Sequence, residues 1–159
     1  VYEEKLEHDG IFHLKDFYKF MRTWFEYYHY FLQEKKYEEK IKPEGKEIEI
    51  EWQSLRKISD YFRFRVDLNI IMRKLTEVEV MENGIKLKRN KGEVTITLKS
   101  YLERDYEHRW ETSPFAKFAR GVYDRYIIKS RIEGYEDDLI YEVKDFIDQI
   151  KSYLSLEGR

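Results

Sequence analysis

Four histidines, His8, His13, His29 and His108, are the first side chains to test for chemistry. None stands four residues from another, and none sits in the His-Glu-x-x-His setting that puts two imidazoles and a base on one helix face. They read as surface or edge histidines. Asp105, Glu107 and His108 lie close together near a strand end. Asp105 and Glu107 share a strand face and could hold a hard cation, but a solvated strand end uses the same residues. Asp137 and Asp138 suit the start of a helix, where carboxylates meet the positive end of the dipole. The chain has no cysteine, which excludes a thiol nucleophile, a disulfide framework and cysteine metal sites together. The seven glycines are scattered and form no phosphate-cradling loop, and no serine or aspartate occupies a nucleophile elbow. An enzyme would have no nameable base or nucleophile here, and the sequence offers no cofactor or metal set.

Two groups of cations invite a nucleic-acid reading. Lys117, Arg120, Arg125, Lys129 and Arg131 make one stretch basic, and Arg63, Arg65 and Arg73 line one face of a strand. With neighbouring tyrosines, such patches can meet single strands. The acidic residues argue against it. Glu47, Glu49 and Glu51 are expected to pair across the sheet with Arg63 and Arg65. Asp124 stands four after Arg120, and Glu133 four after Lys129, so the helix charges have local partners too. The net charge of -2 gives no general pull toward polyanions.

The elements that must position these groups follow from periodicity. Val1 to Glu7 alternates loosely and reads as an edge strand, closed by an Asp9-Gly10 turn. Leu14, Phe17, Met21, Trp24, Phe25 and Tyr28 form the stripe of a first helix, with no visible stop signal after Tyr28. Tyr30 to Lys42 is a polar strand, turned by Pro43-Glu44-Gly45 into a strand where Ile48, Ile50 and Trp52 alternate with glutamates. Phe62, Phe64, Val66, Leu68, Ile70 and Met72 define the strongest strand. Val78 and Val80, an Asn83-Gly84 hairpin, Ile85 and Leu87, an Asn90-Lys91-Gly92 turn, and then Val94, Ile96 and Leu98 complete the run. Ser113 and Pro114 open a long C-terminal helix, with a break expected at Gly134.

The fold class is therefore α+β. A curved antiparallel sheet of about seven strands in a meander packs on an N-terminal helix and a long C-terminal helix, in a single domain over residues 1–159. No apolar run approaches the roughly 18 residues of a membrane span. Val1 to Asp9 is charged and strand-like rather than a signal peptide, which points to the cytoplasm, although a chain starting at Val can have lost an earlier segment. Charged residues make up 39% of the chain, with Lys and Glu dominant, the bias of thermophile proteins.

The element order resembles the helix-grip fold of START-like lipid-transfer and ligand-binding domains, with one helix rather than two after the first strand. Separately, Leu14-Lys15-Asp16-Phe17-Tyr18, the hairpin from Ile41-Lys42-Pro43 to Trp52, and Arg120-Gly121-Val122-Tyr123-Asp124 onward to Glu133 resemble an uncharacterised family of archaeal proteins. That resemblance implies an archaeal, intracellular origin and carries over no functional residues.

Two non-catalytic readings follow. In the first, a small apolar ligand lies between sheet and helix, lined by Trp52, Phe62, Phe64, Leu68, Phe115, Phe118 and Val122. In the second, the wide stripe of Leu139, Ile140, Val143, Ile147, Ile150 and Leu154 receives a protein partner or a second copy as a homodimer. An RNA-binding accessory role ranks below both.

Overall fold

Alternating apolar residues dominate this chain, and they assemble into one sheet with one oily face. The computed structural model describes residues 1–104, 114–126 and 129–157. Its elements are β1 (Tyr2–Phe12), α1 (Leu14–Tyr27), β2 (Phe31–Lys42), β3 (Gly45–Lys57), β4 (Phe62–Glu82), β5 (Ile85–Arg104), α2 (Pro114–Tyr126) and α3 (Lys129–Glu157). The fold is α+β, with five antiparallel strands in the order β1-β5-β4-β3-β2. The first and second strands are thus opposite edges, and α1 must carry the chain across the sheet. Its 14 residues extend about 21 Å, close to the roughly 19 Å of four inter-strand gaps.

Five strands replace the expected seven because β4 runs on from Met72 to Val78 without a break and β5 runs through the presumed turn at Asn90-Lys91-Gly92. Asn90, Lys91 and Gly92 pair with Phe12, Ile11 and Gly10 of β1, so β5 runs through them. Across from them β4 bulges between Arg73 and Thr76, with Lys74 in a left-handed conformation (φ 54°). The bulge brings backbone close to Gly92. A Cβ at Gly92 would lie 2.8 Å from the Arg73 carbonyl oxygen and 3.2 Å from Leu75 Cα. Gly92 therefore serves close backbone approach rather than a chain reversal. Asp9 and Gly10 likewise belong to β1. The Asn83-Gly84 hairpin is as expected, with both residues at positive φ and Glu82 facing Ile85.

The inner face carries Ile48, Ile50 and Trp52 of β3, Phe64 to Met72 of β4 at alternate positions, and Val94, Ile96 and Leu98 of β5, all buried. Phe17, Met21, Trp24 and Phe25 of α1 cover it together with Leu139, Val143, Phe146, Ile147, Ile150 and Leu154 of α3. The outer face is a lattice of charges whose pairing differs from the sequence expectation. Register places Arg63 opposite Glu103 and Lys57, and Arg65 opposite Tyr101 and Leu55, so Glu47, Glu49 and Glu51 are out of reach. Arg63 binds Glu103, and Arg65 binds Asp67 through 3.0 and 2.8 Å hydrogen bonds. Glu47 takes Lys42 and Arg73, and Glu49 takes Lys36. Exposed pairs of this kind contribute about 0–1 kcal/mol each.

Both ends of α1 are held by devices that no local motif announces. His13 makes no side-chain cap. Instead Asn90, far along the chain on β5, accepts the Leu14 N–H at 3.0 Å through Oδ1. At the other end His29 takes the left-handed position (φ 62°). The Tyr30 N–H donates to Phe25 O at 2.9 Å and the His29 N–H to Glu26 O at 3.0 Å. That is a Schellman closure, completed by the ring contact of Tyr30 with Phe25.

The C-terminal helices also differ from expectation. Gly134 lies inside α3, exposed and with open space around its Cα, so it marks no break. Ser113, Ile128, Trp110 and the Asp105, Glu107, His108 group lie outside the described residues. Among the described residues, no helix is long and apolar enough to cross a membrane. The two glycines predict opposite outcomes. Gly134→Ala should raise stability by about 0.5–1 kcal/mol, since it removes helix-interior glycine without a clash. Gly92→Ala should lower it by about 1–3 kcal/mol, because the new methyl overlaps β4 backbone. Thermal melts of the two variants check both signs.

Candidate functional site

The residues expected to line an apolar cavity do not meet across one. Trp52, Phe64 and Leu68 are at most 2% exposed and belong to the main core, while Phe62, equally buried, packs with Tyr61 beside Ile132 and Tyr135. Phe115, Phe118 and Val122 of α2 are 79%, 70% and 38% exposed. The space facing Trp52 and Phe64 is filled from α1 and α3. Phe25 lies 6.1 Å from Trp52 and 5.1 Å from Phe146 between ring centroids, and Trp24 lies 4.8 Å from Phe146. Rings at these separations interlock in edge and tilted contacts.

The residues expected to form a partner seam are engaged as well. Leu139, Val143, Ile147, Ile150 and Leu154 are buried in the core, and Ile140 is half-buried beside Tyr2 and Leu102 around a shallow concavity of about 190 Å³. The extra width of the stripe serves the fold, because α3 meets β1, β5 and α1 together.

One polar cluster is deeply placed. The Arg56 guanidinium donates to both oxygens of Glu142, at 2.7 and 3.0 Å, and to the Tyr28 carbonyl oxygen at 3.0 Å. Tyr30 donates its hydroxyl to Glu142 Oε2 at 3.1 Å. The guanidinium carbon lies 5.0 Å from the ring centres of both Tyr30 and Phe64. Burial, and then the Glu142 charge, push the Tyr30 hydroxyl well above its usual range, so it stays a donor. A few residues along α3, Asp145 accepts from Trp24 Nε1, Tyr28 Oη and Gln149 Nε2 at 3.2, 3.3 and 2.8 Å. Each Glu142 oxygen already has a donor, which suits a clamp better than a reacting group. Sequence reasoning missed this cluster. Its signal was charge at positions whose neighbours are buried: Arg56 in the Trp52, Ser54 alternation, and Glu142 beside Leu139 and Val143.

On the outer face, a concavity of about 470 Å³ is bordered by Lys35, Glu51, Gln53, Arg65, Asp67, Asn69, Thr97 and Lys99, among others. Lys35 is the extra residue of a bulge in β2 between Glu34 and Lys36. Asp67 holds Arg65, which also stacks on Tyr101 at 5.0 Å, and keeps its guanidinium charged. The depression offers hydrogen bonds but no buried nucleophile. Among the described residues, no group of three or more His, Asp or Glu side chains could hold a metal ion.

On α2, large apolar side chains face solvent in a helical pattern. Phe115, Phe118 and Val122 recur at steps of three and four on one side of the helix, and Lys117 and Arg131 near it are exposed. No protein-family model, curated protein or solved structure matches the chain.

The clamp can be tested as structure. Arg56→Met alone should cost about 2–4 kcal/mol, since it strands a largely buried carboxylate, and Arg56→Met with Glu142→Leu should recover roughly half of that. Urea unfolding of the single and double variants measures both. A loss under about 1 kcal/mol for the single variant would class the pair with the exposed ones.

Proposed function

We propose that this chain is a non-catalytic binding protein that holds an acidic, apolar segment of a protein partner on the aromatic side of α2. The observation that carries the reading is the exposure of Phe115 and Phe118, on a helix next to one whose own large apolar side chains are mostly buried. Aromatic anchors one helical turn apart, followed by Val122 a turn later, match how helices present hot spots to a groove or a second helix. Charge selects the occupant. Lys117, Arg120, Arg125, Lys129 and Arg131 outnumber their local partners Asp124 and Glu133, while the whole chain is at -2. A complementary partner segment is therefore acidic around its apolar anchors.

The interlocked core favours a protein partner over a small apolar ligand, since the rings that would line a cavity occupy it. The closure of β1 on β5, with α3 laid across the sheet, supports a reduced helix-grip arrangement in which a helix takes the gripped space. Aromatic rings in basic surroundings can also stack on bases or enter a lipid surface, and the test separates these.

A photo-cross-linking phenylalanine analogue at position 118, expressed in cells of the source organism, should give a protein adduct. With the purified partner, Phe118→Glu should weaken binding by about tenfold, while Met81→Glu on β4 should leave it unchanged. Adducts to RNA or lipid alone, an affinity indifferent to Phe118→Glu, or an apolar small molecule retained in native mass spectrometry would each overturn the reading.

A further inference from the structure

The β4–β5 hairpin outruns the rest of the sheet. β1 stops where Phe12 meets Asn90, and the β3 pairing stops where Lys46 meets Leu75. Beyond those rungs β4 and β5 pair only with each other, from Val78 opposite Arg89 to Glu82 opposite Ile85. The five rungs make an arm about 17 Å long at roughly 3.3 Å per residue. A two-stranded ribbon is marginal in water unless something packs on it.

The arm is two-faced. Residues directly opposite share a face, and faces alternate along each strand. One face therefore holds Val78, Val80 and Glu82 with Arg89, Leu87 and Ile85. The other holds Glu79 and Met81 with Lys88 and Lys86. The first is aliphatic at four of six positions. Ile85 is 61% exposed, and none of the four aliphatic residues belongs to the core or packs against it.

The two edges of the arm argue against sheet extension between like edges. The β4 edge carries Glu79 and Glu82, and the β5 edge Lys86, Lys88 and Arg89. Pairing two copies β4 to β4 or β5 to β5 would set like charges side by side. Face-to-face packing avoids this, and the rung order makes it self-complementary. With a two-fold axis at the Val80–Leu87 rung, the Glu82–Ile85 rung of one copy lies over the Val78–Arg89 rung of the other. Each such level then holds one carboxylate, one guanidinium and two aliphatic side chains.

We infer that the aliphatic face of this arm is a dimer interface, occupied by the same face of a second copy of the chain in antiparallel orientation. A two-fold contact buries one patch on itself, which is what this pattern requires. The arm alone is smaller than the about 800 Å² per partner of a standard interface. The dimer is accordingly in reversible equilibrium with monomer. The inference is independent of the role given to α2, whose residues it does not use.

The absence of cysteine from the chain permits a direct test. Leu87→Cys places a single thiol at the two-fold centre, and Met81→Cys places one on the opposite face. Sedimentation velocity of the unaltered protein should show a concentration-dependent monomer–dimer equilibrium. Leu87→Cys should oxidise to a covalent dimer, and Met81→Cys should not. Val80→Glu should raise the dimer dissociation constant by about tenfold, with an unchanged circular-dichroism melt required before it is counted. Monomer at every concentration, or cross-linking through Met81→Cys as readily as through Leu87→Cys, would overturn the inference. The cysteine pair decides the matter even where Val80→Glu perturbs folding.

Discussion

Arg56 is the point at which the layers of this molecule are joined. Its guanidinium sits between the rings of Tyr30 and Phe64, touches the backbone at the end of α1 through Tyr28, and reaches both oxygens of Glu142 on α3. Apolar packing supplies most of the energy, but it is poor at choosing alignment. The α3 stripe repeats every turn, so a slide of about 5.4 Å would return similar side chains to the sheet. The same slide would carry Glu142 away from Arg56 and Asp145 away from Trp24 and Tyr28. Glu142 is buried, and left unpaired there its carboxylate would cost several kcal/mol. The ion pair therefore sets where α3 stops, and the aromatic interlock around Phe25, Trp52 and Phe146 follows from that placement.

How a twisted sheet is covered also governs what is left over. One face is sealed by α1 and α3, and the other is wet, with Arg63, Arg65, Lys36 and Arg73 matched to carboxylates on neighbouring strands. Such a lattice costs little to leave in water and would be expensive to bury. The molecule does not invite a second layer there. Exposed large apolar side chains stand instead on α2, on the β4–β5 arm and along the edge strand β2, where Phe31, Tyr37 and Ile41 face water.

Much of the fold was legible because alternation is a strong local signal. Ile48, Ile50 and Trp52, and the run from Phe62 to Met72, point inward as their period of two requires. What failed was punctuation. Asn90-Lys91-Gly92 carries the composition of a turn, yet that glycine answers a bulge on another strand, and its asparagine caps a helix that begins 76 residues earlier. The end of α1 was invisible because a histidine, not a glycine, takes the left-handed position. Charge partners depended on register, which no single strand reports. The helical pattern in Phe115, Phe118 and Val122 was real, but periodicity tells which side chains share a face and not whether anything lies against it. The Arg56–Glu142 contact spans 86 residues, and only the odd placement of two charges hinted at it.

The pairing of β1 with β5 has a consequence in time. Tyr2 and Ser100, neighbours in the finished sheet, are 98 residues apart in sequence. β2 to β5 form an up-and-down run whose contacts close over short loops, whereas β1 must wait for the final strand. On a ribosome β1 would emerge well before β5 and be nearly the last strand to find its hydrogen bonds. Contacts of such separation slow folding more than they weaken the product. The acidic residues along β1, Glu3, Glu4, Glu7 and Asp9, keep that waiting segment soluble until its place exists.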